Sequence, residues 1–178
     1  MVRTSMTLML VAAGAFAASG EELRTAQPLP ELKGEYLSGR EAVLPRDAHG
    51  KVTLLLLGFS YKSRFAVEEY TKHFRADFDG NAKVTFYEIP MIGGMARLGK
   101  WFIDSGMRRG TPKADQENVI TVYGGTDVWK KALGVKSEEW AYLVLLDPEG
   151  NIAWRQGGLF AETKYKELAA RVKQLSEK

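Results

Sequence analysis

The side chains best placed to do chemistry in this sequence stand in one short polar turn, Ser60-Tyr61-Lys62-Ser63-Arg64, directly after the apolar run Val52 to Phe59. By type, the turn offers two hydroxyl nucleophiles and an amine that could act as a base. A serine attacks only when a base takes its proton, and the two histidines fall elsewhere: His49 in a glycine-bounded turn, His73 on a helix beside its apolar stripe. Lys62 would act as a base only if burial depressed its pKa, and its neighbours are polar. The acidic residues are scattered rather than paired. No catalytic residue is assigned, and the chain is expected not to be an enzyme.

The chain contains no cysteine, which removes thiolate nucleophiles, disulfides and sulfur ligands for metals together. With two histidines at no ligating helical spacing, a transition-metal site would have to be built mostly of carboxylates, so neither a metal nor a cofactor is expected. A second polar group, Arg108, Arg109 and Lys113 around Thr111-Pro112, is basic. Read plainly it is a solvated face. As a site it would take a small anion, together with backbone amides of Gly93-Gly94 or Gly124-Gly125. The diglycines lack the spacing and the Gly-Lys-Ser/Thr ending of a nucleotide loop. Removing Arg3 with the leader described below leaves 24 basic against 22 acidic side chains, too even a balance to argue for nucleic acid.

The turn needs elements to hold it. Val52 to Phe59 is too short to span a membrane and too continuous for a half-exposed strand, so it reads as a central strand buried on both faces. Leu32 to Gly50 reads as an N-terminal hairpin. Ser63 is the expected N-cap of a helix carrying Val67, Tyr70, Phe74 and Phe78 down one face and ending near Asp79-Gly80-Asn81. Lys83 to Ile89 is a second strand, stopped by Pro90, and the strand-helix-strand order implies a parallel right-handed crossover. Met95, Leu98, Trp101 and Phe102 give a second helix closed by Gly106 or Gly110. A short strand from Val119 to Tyr123, a helix ending at Gly134, and a strand from Trp140 to Leu146 follow. The turn Asp147 to Asn151 leads into an antiparallel strand, Ile152 to Arg155, from which Gly157-Gly158 breaks out. A helix from about Ala161 closes the chain. The fold class is α/β: a mixed sheet with helices on both faces and an N-terminal β-hairpin extension.

Residues 1–17 read as a signal peptide, with one basic residue, an apolar stretch from Met6 to Phe16, and Ala15-Phe16-Ala17 as the cleavage signal. Residues 18–31 read as a flexible lead-in and 32–178 as one domain. The expectation is a periplasmic or secreted protein with no stable membrane insertion after cleavage.

Several segments together carry a resemblance. KVTLLLLGFSYKSR with its helix, ALGV, and YLVLLDPEGNIAWRQGG with its helix resemble the thioredoxin-like superfamily in its peroxiredoxin and thiol-reductase branch. That resemblance implies a cysteine pair, or one peroxidatic cysteine, in the turn after the central strand, and a cis-proline facing it before the fourth. Here Ser60 to Arg64 occupy the turn, and the proline position falls near Ala141. A narrower resemblance, carried by IPMIGGMARLGKWFIDSGMRRGTPKADQENVI and LLDPEGNIAWRQGG, is to the mitochondrial assembly-factor family for the membrane sector of F-type ATP synthase, whose members generally act as chaperones. The function expected is therefore protein binding, as an assembly factor or chaperone-like module, through Tyr61, Lys62, Ser63, Arg64, Trp140 and Ala141. The partner is another protein, with a membrane protein open as client.

Overall fold

The computed structural model describes residues 29–177, so the expected signal peptide lies outside the described residues. Seven strands form one mixed sheet. In chain order they are β1 (Leu32–Tyr36), β2 (Glu41–Leu44), β3 (Val52–Gly58), β4 (Val84–Ile92), β5 (Ile120–Tyr123), β6 (Ala141–Leu146) and β7 (Ile152–Gly158), and across the sheet they run β2-β1-β5-β4-β3-β6-β7. β3 is the expected centre, parallel to β4 on one side and antiparallel to β6 on the other.

Leu54 to Leu57 are all fully buried, because alternate side chains enter two separate apolar layers. Leu54 and Leu56 pack with Val67, Tyr70 and Phe74 of α1 (Arg64–Phe78) and with Leu168 and Val172 of the C-terminal helix Glu162–Ser176. Leu55 and Leu57 pack on the other face with Leu32, Tyr36 and Leu44 of the β1–β2 hairpin and with Trp129 of the helix Thr126–Leu133. Leu29 is already buried in that second layer. Truncating any of these leucines to alanine would cost about 2–5 kcal/mol.

Four local expectations are corrected. Pro90 lies inside β4: it is the last partner of β3, opposite Gly58, where a residue without an N–H is tolerated, and the strand continues as Met91 and Ile92 pair with β5. Gly157 and Gly158 stay in β7, paired with Tyr142 and Ala141, because the Tyr142 ring leaves no room for a Cβ at Gly157. Ser63 occupies the N-cap position, but its hydroxyl makes no capping bond.

The fourth correction concerns α2 (Lys100–Gly110), which follows a 3-10 turn at Gly94–Gly99. Its inward face is polar: Lys100, Asp104 and Arg108, at i, i+4 and i+8, make one stripe. The Lys100 Nζ lies 3.2 Å from Glu35, and Tyr123 donates its hydroxyl to Asp104 at 2.6 Å. The Arg108 Nε donates to the Leu37 carbonyl at 2.6 Å. The sheet margin beneath α2 presents these polar groups of β1 and β5, so the helix docks by its charges. Met95, Leu98, Trp101 and Phe102 consequently face outward.

Candidate functional site

β3 delivers its polar turn at the carboxyl end of the parallel strands, the place where open α/β sheets usually put chemistry. There the two serines close on each other. Ser63 Oγ donates to the Ser60 carbonyl at 2.7 Å and accepts the Ser60 amide at 3.3 Å. Ser60 Oγ accepts the Ser63 amide at 3.3 Å and donates to the Glu138 carbonyl at 2.8 Å. Each hydroxyl thus spends its one proton on a backbone carbonyl. Ser63 is 1% exposed, and the closeness of its Oγ explains Gly58: a Cβ there would sit 2.6 Å from it.

Among the described residues no base reaches either hydroxyl. The His73 ring stacks on Phe160, with Nδ1 2.9 Å from the Glu69 carbonyl, and His49 lies against the Gly150 turn. Lys62 Nζ pairs with Glu139 Oε1 at 2.7 Å, and that hydrogen bond and charge hold the amine above the ordinary lysine pKa, the reverse of what a base needs.

What the turn presents outward is aromatic and cationic. Tyr61 is 74% and Phe65 58% exposed, and the Arg64 guanidinium lies 4.3 Å from the first ring centroid and 4.6 Å from the second. Such contacts hold an exposed arginine in place. Trp140 is half-buried against the core, and Ala141 is fully buried, paired in the sheet with Gly58 and Gly158, so it offers no side-chain surface. Of the expected contact residues, Tyr61, Lys62, Arg64 and the rim of Trp140 remain accessible, while Ser63 and Ala141 are interior.

Three partners escape a reading by residue type: Phe65, which looks like a helix-core position, and Glu138 and Glu139, which precede β6 and come to the turn only through its antiparallel pairing with β3. Tyr142 anchors that loop. Its hydroxyl accepts the amides of Lys136 and Ser137 at 2.8 and 3.2 Å and donates to the Ser137 carbonyl at 3.1 Å.

The basic cluster lies elsewhere, at the end of α2 next to the β1–β2 turn. Arg108 is engaged with Leu37 and, at 3.4 Å, with Glu35. Arg109 and Lys113 are exposed, and the Gly124 amide is used by the Ile92 carbonyl. Among the described residues no cluster of three metal-ligating side chains occurs, and no helix is long and apolar enough to cross a membrane.

No family model matches the chain, and no curated protein matches it. Solved structures do. BsSco, a member of the Sco family of cytochrome c oxidase assembly proteins, superposes with a TM-score of 0.58 at 15% identity, covering 84% of this chain and 94% of that one. The exposed lipoprotein thioredoxin Etrx1 of Streptococcus pneumoniae gives 0.55 at 15% identity over 82% and 99%. The thioredoxin domain of a thiol-disulfide oxidoreductase from Bacteroides vulgatus gives 0.54 at 19% over 84% and 99%. The fold is thioredoxin-like. In the turn after the central strand of this fold stand Ser60 and Ser63, in a Ser-x-x-Ser spacing, and Ala141 continues the β6 ladder opposite Gly58.

Proposed function

We propose that the chain is an exported, redox-inactive thioredoxin-like protein that acts by binding another protein, as an assembly factor or chaperone-like module. One observation carries the reading: the turn that does thiol chemistry on this fold is closed into a serine clasp with no base beside it among the described residues. Its outer side holds Tyr61, Arg64 and Phe65 as an ordered, exposed trio, residue types that supply binding energy at interfaces. The narrower resemblance to ATP synthase assembly factors extends the reading to a client in a membrane-bound complex. BsSco, named as belonging to a family of cytochrome c oxidase assembly proteins, has the same fold.

The test is site-specific photocrosslinking in the native host from position 61, with position 173 on the outer face of the C-terminal helix as control. The reading expects one defined polypeptide captured from position 61 and lost on Arg64→Ala plus Phe65→Ala. Equal capture from both positions, or turnover of a disulfide or peroxide substrate by the purified chain, would overturn it.

A further inference from the structure

Eight large apolar side chains are exposed among the described residues, and four of them, Met95, Leu98, Trp101 and Phe102, fall within eight consecutive positions at 72–80% exposure. This is not loose packing. The rotation of α2 about its axis is fixed by Lys100, Asp104 and Arg108, and turning Trp101 and Phe102 inward would break the contacts to Glu35, Tyr123 and Leu37 together. Monomeric proteins rarely leave such a contiguous patch without a use.

We infer that the 3-10 turn and α2 dock this protein onto an anionic phospholipid surface, with Met95, Leu98, Trp101 and Phe102 entering the headgroup and upper acyl region. The inference does not rest on the protein-binding reading of the Ser60–Arg64 turn. Side chains this exposed stand proud of the surface as wedges rather than lining a groove. A fluid bilayer takes wedges without a preformed pocket, and Trp, Phe and Leu on one side of a surface helix are the side chains that partition there. Lys100 and Arg108 are turned inward onto Glu35, Asp104 and the Leu37 carbonyl, and the cations left exposed along the segment are Arg109, at i+7 from Phe102 and so on its side of α2, and Lys113 just beyond the helix end. Each exposed cation near an anionic membrane adds about 1 kcal/mol. The same exposed cations argue against a second copy as occupant, because a two-fold pairing would set Arg109 and Lys113 of one copy against the same face of the other.

The absence of cysteine makes the test clean, since a single introduced thiol labels one place. The full chain carrying Ala96→Cys is labelled with an environment-sensitive NBD fluorophore and titrated with phosphatidylcholine vesicles containing about a quarter phosphatidylglycerol. A Lys173→Cys version serves as control. Emission is expected to rise several-fold at position 96 and to stay flat at 173. The response should weaken with pure phosphatidylcholine and with high salt. Trp101→Glu plus Phe102→Glu, whose exposed positions leave the fold intact by circular dichroism, should weaken apparent binding by about tenfold or more. Arg109→Glu plus Lys113→Glu should weaken it without touching the apolar face. No rise at 96, an equal rise at 173, or a rise that survives both double variants would overturn the inference. So would a patch whose only solution behaviour is concentration-dependent dimerisation abolished by Trp101→Glu.

Discussion

Removing one buried oxygen, by Ser63→Ala, measures what the clasp contributes to the protein. The Ser63 hydroxyl is 1% exposed, accepts the Ser60 amide at 3.3 Å and donates to the Ser60 carbonyl at 2.7 Å. Its loss leaves the half-buried Ser60 amide and carbonyl without this partner, at a cost of about 1–3 kcal/mol. In a domain of this size 1 kcal/mol moves the melting temperature by about 2–4 °C, so Ser63→Ala should melt about 2–12 °C below the parent by circular dichroism. Ser60→Ala should cost less, about 0.5–1.5 kcal/mol, because its bond to the Glu138 carbonyl lies at the surface and water can replace it. Gly58→Ala provides an internal control. Its Cβ would meet Ser63 Oγ at 2.6 Å and otherwise only atoms at ordinary contact distance, so it should be costly in the parent and much less so in the Ser63→Ala background. The expected non-additivity exceeds about 0.5 kcal/mol. A Ser63→Ala melting point within about 1 °C of the parent, a larger cost for Ser60→Ala, or additive behaviour of Gly58→Ala would refute this account of the turn.

Two further outcomes follow from the same geometry and from one half-buried acid. Ser60→Cys plus Ser63→Cys, at the start of α1, should form an intramolecular disulfide and raise insulin-reducing activity above whatever level the parent shows in the same assay, with a thiol pKa below the free value of about 8.5; two thiols that stay free in oxidised glutathione would show that the turn no longer has a redox-competent shape. Glu88, beneath α1, has its carboxyl pKa raised, by burial first and by Glu68 and Asp115 next, against Thr71 and Arg75. A raised folded-state pKa means that ionising Glu88 costs stability as pH climbs past the unfolded carboxylate value, so Glu88→Gln should raise the melting temperature at pH 7 and lose that advantage as pH falls below the ordinary carboxylate range. An advantage that grew on acidification would contradict the sign.

The sheet, α1 and the C-terminal helix are legible in the residues because their information is local. Leu54 to Leu57 form an uninterrupted apolar run, and Val67, Tyr70 and Phe74, like Leu168 and Val172, repeat at helical spacing. The turn is legible as a place but not as a mechanism. Ser60 and Ser63 can be read as nucleophiles until the Glu138 carbonyl arrives from 78 residues away through the β3–β6 pairing. α2 resists a periodicity reading for the opposite reason: an apolar set at helical spacing normally marks the inward face. Which side of Lys100–Gly110 turns inward is decided by Glu35 and Tyr123, and neither is near it in sequence.

A helix moored by charges has a different fate on opening from one held by apolar area. Detaching α2 breaks ion pairs and a few hydrogen bonds at the rim, and neither of the two hydrophobic layers loses a member, since both are built from the strands and the other helices. Unfolding of this segment is therefore separable from unfolding of the domain, and its coupling to salt is opposite in kind to that of the core: the conditions that strengthen apolar burial loosen the mooring. The protein thus carries one part that can swing free while the scaffold behind it keeps its shape.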